Sequence, residues 1–174
     1  LASVDELTQL NNRRQARILA EAELSRADRN NLPVAIMLLD LDHFKLINDV
    51  YGHDKGDQVL QYVAKIMQRE LRQHDIIARW GGEEFMIMLP ETDLAHADYI
   101  GQRLRSAIAS HSWRTDLGHD LQVTTSIGIS QHKANETFNR LLKRADTALY
   151  MSKSEGRNRV TALHDIPKHL DLNQ

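Results

Sequence analysis

Acidic residues stand at two places where carboxylates are hard to keep charged. Asp40 closes an unbroken apolar run, Val34-Ala35-Ile36-Met37-Leu38-Leu39, and Glu83 and Glu84 follow a glycine pair in Gly81-Gly82-Glu83-Glu84-Phe85. A carboxylate at the end of a hydrophobic strand is destabilised by desolvation unless a cation or hydrogen bonds satisfy it. If the two segments lie side by side, the carboxylates converge. Hard oxygen ligands from neighbouring elements suit Mg²⁺, which takes one or two carboxylates and completes its octahedron with water and substrate phosphates. Two plainer readings stand beside this one: Asp40 caps the next segment, or Gly-Gly-Glu-Glu is an ordinary solvated turn. An EF-hand over Asp40-Leu41-Asp42 fails, because Phe44 stands where the third ligand belongs and no glycine follows.

Further polar groups extend the set. Gly81 and Gly82 permit positive φ and let a ligand approach the backbone closely. Asn48 and Asp57 together can read a guanine edge, the carboxylate accepting from N1–H and the exocyclic amine and the amide donating to an acceptor. Asp57 also sits near a helix start, where the macrodipole favours a carboxylate and Asp54 offers a cap. Lys153 and Arg157 flank Gly156 and can hold a triphosphate, although basic residues and glycine are equally what a helix C-terminus favours. Arg72 and Asp75 form an Arg-x-x-Asp that alone reads as a surface pair. The nine histidines are dispersed and receive no ligand role.

The elements that must position these groups follow from periodicity. Asn11 to Asn30 reads as an amphipathic helix with Ile18 and Ala22 on one face and Leu19, Glu23 and Arg26 on another, stopped by Asn30-Asn31 and Pro33. Val34 to Leu39 is a central strand with its charge at the carboxyl end. A short segment through Tyr51 and Gly52 leads to a helix over Asp54 to Leu71. Ile76 to Trp80 and Phe85 to Leu89 flank the glycine pair as a hairpin. Thr92 to His111 is helical, Val123 to Ser130 alternates as a strand, Phe138 onward is a helix ending at Gly156, and Arg159 to Leu163 forms a last short strand. This order predicts an α+β sandwich with a mostly antiparallel sheet and flanking helices. Residues 1–163 form one domain, and 164–174 read as a loosely held tail.

Composition limits the alternatives. The 174 residues, 41% hydrophobic, suffice for one core. A net charge of −2 with mixed signs and 5% aromatics leaves no footprint for nucleic acid. The absence of cysteine excludes disulfides and thiolate zinc sites, and no signal peptide or 18-residue apolar run is present. The expected location is the cytoplasm, with any membrane anchor in a missing N-terminal region. The chain begins at Leu1 inside a motif, so a regulatory domain upstream is expected.

In order and spacing these segments resemble the GGDEF-domain family of diguanylate cyclases. Asp5 to Arg14 resembles D-x-L-T-G-L-x-N-R-R, with Gln9 where the family usually has glycine. DLDHFKLINDVYGHDKGD runs from Asp40 to Asp57, GGEEF from Gly81 to Phe85, and the pattern closes with Ser126-Ile127-Gly128 and with Ala145-Asp146 through Tyr150, Lys153, Gly156, Arg157 and Asn158. The resemblance implies a palm-like βαββαβ fold shared with nucleotidyl cyclases and polymerases. It implies Asp40, Glu83, Glu84 and the Leu41 carbonyl as ligands of two Mg²⁺ or Mn²⁺ ions, with Glu84 alternatively helping to deprotonate the attacking hydroxyl. Asn48 and Asp57 would recognise guanine. Lys153, Arg157 and main-chain N–H groups around Phe44 and Lys45 would hold phosphates, and Gly82 would lie against the nucleotide.

The implied reaction condenses two GTP into cyclic di-GMP across an antiparallel homodimer, each domain holding one GTP, with an N-terminal sensory or receiver domain as the control element. The resemblance also implies an inhibitory product site at Arg72 and Asp75, five residues before the signature, with Arg103 reaching the same ligand. Two rival readings stand beside it: a catalytically silent module that binds GTP or cyclic di-GMP, and a cyclase making a mixed purine product. No nucleic acid or membrane partner is expected for this segment.

Overall fold

In the computed structural model, which describes residues 1–114, 118 and 120–171, five strands form one sheet in the order β2-β3-β1-β4-β5. The elements are α1 (Arg13–Asn30), β1 (Val34–Leu41), α2 (Phe44–Tyr51), α3 (His53–Glu70), β2 (Ile76–Arg79), β3 (Glu84–Pro90), α4 (Leu94–Ser110), β4 (Thr125–Gln131), α5 (Phe138–Ser154) and β5 (Arg159–Leu163). A 3₁₀ turn, Lys168–Leu170, follows. All pairings are antiparallel except β4 with β5. The expected α+β sandwich with a mostly antiparallel sheet is what the chain forms.

β1 is central and buried on both faces, which is why it reads as an unbroken apolar run. Its odd residues, Ala35, Met37 and Leu39, pack with α2, α3 and α4 residues such as Ile47, Val63 and Leu104. Its even residues, Val34, Ile36 and Leu38, pack with α1 and α5 through Ala20, Leu24, Leu141 and Ala145. Because side chains alternate along a strand, Asp40 belongs to the α1/α5 side.

Three sequence expectations change. The segment after β1 is a helix: His43, at φ 54, turns the chain and α2 runs eight residues to Gly52. The buried face of α1 is Ala16, Ala20, Leu24 and Ala27, while Ile18 is 50% exposed, because small side chains let the helix lie close on the sheet. Neither Asp54 nor Asp57 caps α3, which starts at His53 behind Gly52 without a side-chain cap. Within the expected tail, Lys133 pairs with Asp165 before the 3₁₀ turn, and 172–174 lie outside the described residues.

One glycine fixes how α5 meets the sheet. A Cβ on Gly128 of β4 would come within 2.1 Å of the Leu149 main-chain nitrogen and 2.2 Å of the Ala145 carbonyl oxygen. Only glycine tolerates that approach. Ser152 Oγ, bonded to the Ile127 carbonyl at 2.8 Å, continues the contact one turn on.

Candidate active site

The hairpin register puts Asp40 directly opposite Glu84 on β1 and β3. The tip is drawn onto the end of β1, since the Leu41 N–H donates to the Glu83 carbonyl at 3.2 Å. Arg79 grips the tip from behind, donating from Nε and an Nη to the Gly82 carbonyl at 3.0 and 2.9 Å and pairing with Asp5 at 3.3 Å. The glycine pair is therefore a fastened turn with its carboxylates presented at one end of the sheet. Glu83 and Glu84 are both half-buried.

Among the described residues the one cation bonded to Asp40 comes from α5: Lys153 Nζ lies 2.6 Å from its Oδ2. Burial pushes the Asp40 carboxyl upward, Lys153 draws it back, and the Glu83 and Asp42 carboxylates push it up again, leaving its pKa above the ordinary value. Glu84 is also raised, by burial first and then by Asp40 and Asp146, against Lys153 and Arg13. Two half-buried carboxyls held up in this way need positive charge. Among the described residues no three His, Asp or Glu side chains gather into a complete metal site. The donor set nevertheless fits a divalent ion of the Mg²⁺ type, which takes few carboxylates and fills its shell with water and phosphate oxygens.

Asp42 has a different fate from Asp40. It is buried and accepts from Thr124 Oγ1 at 2.7 Å, Ser126 Oγ at 2.6 Å and the Asn158 N–H at 3.0 Å. It anchors the start of β5, and with it the loop carrying Arg157, to the end of β1. Arg157 itself is exposed, held at φ 64 by its N–H bond to the Ser152 carbonyl at 3.0 Å. Sequence reasoning did not single out the Asp42 node, whose partners lie far along the chain, or the Arg79 clamp, which joins the nearby Gly82 carbonyl to the distant Asp5.

Beside the carboxylates, α2 starts at Phe44 and Lys45 with no side-chain cap, and such a helix start favours anions. On the same helix, Asn48 Oδ1 is buried without a hydrogen-bond partner. It sits so close to α3 that a Cβ on Gly56 would lie 1.8 Å from it. Asp57, the next residue, is exposed and makes no hydrogen bond or ion pair among the described residues. The structure thus gathers Asp40, Glu83, Glu84 and Lys153 at one end of the sheet, with α2 and the Asn48–Gly56 contact beside them.

A family model described as diguanylate cyclase, GGDEF domain, matches residues 2–159. The chain belongs to the GGDEF-domain family of diguanylate cyclases. Diguanylate cyclase DgcP of Pseudomonas aeruginosa is 42% identical over 159 residues, covering 91% of this chain and 24% of the relative. Diguanylate cyclase DgcM of Escherichia coli is 40% identical, covering 91% and 38%. The crystal structure of the GGDEF domain of DgcB from Caulobacter crescentus in complex with c-di-GMP superposes with a TM-score of 0.88 at 35% identity, covering 93% of this chain and 96% of that one. The chain spans less than half the length of these two curated relatives.

Within this GGDEF domain, Arg72, Asp75 and Arg103 line one cavity of about 280 Å³ at the other end of β2 from the signature turn. Asp75 is 1% exposed and receives the Arg72 N–H at 2.7 Å and an Nη at 3.2 Å. Arg72 also donates to the Pro90 carbonyl and Thr92 Oγ1, both at 3.0 Å. A buried carboxylate so engaged is not a solvated surface pair, and its role here is to hold the Arg72 fork. Arg103 pairs with Glu70 at 3.3 Å. No described helix is long and apolar enough to cross a membrane.

Proposed function

We propose that this domain condenses two GTP molecules into cyclic di-GMP with release of pyrophosphate. The observation that carries the reading is the cross-strand Asp40–Glu84 pair, both raised in pKa and Asp40 bonded to Lys153, beside an uncapped helix start. One or two divalent ions held by Asp40, Glu83, Glu84 and the Leu41 carbonyl would polarise the α-phosphate and acidify the ribose 3′-hydroxyl. Lys153 turns from Asp40 to the triphosphate once that carboxylate is otherwise neutralised. Arg157, with main-chain N–H groups of Phe44 and Lys45, binds the remaining phosphate oxygens. The Asn48 amide donates to an acceptor on the guanine edge, and Asp57 accepts from N1–H and the exocyclic amine. Gly82, without a side chain, lets the nucleotide lie against the turn. Glu84 is either a further ligand of those ions or the group that takes the proton from the 3′-hydroxyl.

The bond formed is from the 3′-oxygen to the α-phosphorus, and the bond broken is the α–β bridge, so pyrophosphate leaves. One domain presents one GTP, so two copies face each other antiparallel and the exchange occurs twice. Control belongs to that association, exerted by a sensory or receiver domain outside this segment. Product binding at Arg72, Asp75 and Arg103 would hold two copies apart, and these three residues line one cavity away from the signature turn. The test is incubation with GTP and Mg²⁺ and identification of the product. Cyclic di-GMP with two pyrophosphates per product is expected. Bound but unconverted GTP would establish the silent binding module instead, and a mixed dinucleotide from GTP and ATP would establish the third reading.

A further inference from the structure

A cavity of about 790 Å³ opens between the start of α5 and the segment after β5. None of the residues assigned above to metal, phosphate or base lines it. Its basic residues are Lys133 after β4, Arg140, Lys143 and Arg144 on α5, and Lys168 on the 3₁₀ turn. The three on α5 fall at i, i+3 and i+4, so the helix presents them on one face.

Three carboxylates share the cavity, and they are already engaged. Glu136 is held by the Arg144 fork, Asp165 by Lys133, and Asp171 has an interaction of its own. Arg140, Lys143 and Lys168 have no side-chain hydrogen bond or ion pair among the described residues. The Arg144 side chain is 7% exposed, yet its Nε–H lacks an acceptor. Like charges one turn apart repel, and a buried guanidinium donor without a partner is costly. An anion in the cavity relieves the repulsion among Arg140, Lys143 and Lys168.

We propose that this cavity is a second anion site, taking a ligand with a multiply charged di- or triphosphate group. Three unneutralised cations favour such a ligand over a single carboxylate, and guanidinium forks match phosphate oxygens. The volume lies in the range of small-molecule sites, about 300 to 1,000 Å³. Two sources share this chemistry: free pyrophosphate and the tail of a nucleoside triphosphate.

The test is calorimetric titration of the whole chain, without divalent metal, by pyrophosphate and separately by GTP. A Lys153→Ala/Arg157→Ala background removes the phosphate holders of the active site. One-to-one binding of pyrophosphate should persist there, and adding Arg140→Gln and Lys168→Gln should weaken it at least tenfold. Both side chains are exposed, so an unchanged melting profile will confirm that the added changes leave the fold intact. Equal affinity for the two probes assigns the site to the phosphate group alone, and tighter GTP assigns it to a nucleotide. Loss of pyrophosphate binding in the background variant, or binding indifferent to Arg140 and Lys168, overturns the proposal.

Discussion

Asp40 and Glu136 are both acidic side chains withdrawn from water, 14% and 8% exposed, and each is paired with a cation from α5. Their electrostatics run in opposite directions. Glu136 is penalised by burial, but the Arg144 fork, the Lys133 N–H and His132 more than compensate, and its pKa lies below the ordinary value. Asp40 has one ammonium against neighbouring carboxylates, and its pKa lies above. The same kind of residue is thus satisfied at one end of β4 and left short of positive charge at the other. A deficit that folding leaves in place is what a site for a metal and a phosphate needs.

The largest expected effect separates the two by activity. Asp40→Asn should lower cyclic di-GMP synthesis by about 10²-fold or more, since it removes a charge from a site with few protein donors. In metal-free buffer at neutral pH the same change should raise the melting temperature. A raised carboxyl favours folding below its unfolded pKa of about 3.9, and that contribution is lost as pH rises through the folded value. The gain should therefore shrink as pH falls toward 4. Near-wild-type activity in a folded Asp40→Asn protein would remove this residue from the site.

Second in size is the opposite sign at the other carboxylate. Glu136→Ala strands a buried guanidinium and should destabilise the fold by about 3 kcal/mol, with residual activity tracking the folded fraction. A depressed carboxyl contributes above its unfolded pKa, about 4.3, and loses that contribution as pH falls through the folded value. The gap between variant and wild type should therefore close in acid. Melting shifts of the same sign for the two variants would collapse the contrast.

The strands and long helices were legible from their periods: an unbroken apolar run on β1, buried on both faces, one-sided apolar spacing on α3 and α4, and on β4 an alternation of isoleucines with small residues that are buried as well. α2 escaped because an eight-residue helix carries too few apolar positions to show a period. The chemistry was legible as residue types, but the way they are fastened was not. Asp40 and Asp42 look equivalent in sequence, and only the fold gives one a lysine 113 residues away and the other a hydroxyl-lined seat. Gly128 and Gly56 likewise read as interchangeable glycines until α5 and Asn48 are seen against them.

That close approach at Gly56 yields the third prediction, intermediate in size. Gly56→Ala places a methyl where Asn48 Oδ1 now sits, so Asn48 must swing out while the charged end of the site stays as it is. GTP affinity should fall by about tenfold to a hundredfold, the worth of a lost hydrogen bond to the base. Pyrophosphate binding and the effect of Asp40→Asn on stability should not change. If GTP binding survives intact, Asn48 does not read the base.

The smallest effect on basal rate is expected where an arginine fork is exposed rather than buried. Arg72 and Arg144 each pair with a nearly buried carboxylate, but the Arg72 side chain is 47% exposed and the Arg144 side chain 7%. Arg72 reaches into a cavity with Arg103, separated from the signature turn by the length of β2. A strand of four residues spans roughly 13 Å at about 3.3 Å per residue, too far for Arg72 to touch substrate at the turn. Arg72→Ala leaves the nearly buried Asp75 with the main-chain N–H of residue 72, so its stability cost should lie between about 1 kcal/mol for a surface pair and about 3 kcal/mol for a buried one. Initial rates should stay within about twofold of wild type. Inhibition by added cyclic di-GMP should weaken at least tenfold, because the fork that binds a product phosphate or guanine is gone. An unchanged inhibition constant would place feedback elsewhere, and a collapsed initial rate would mean that the Arg72–Asp75 pair supports the hairpin rather than a ligand.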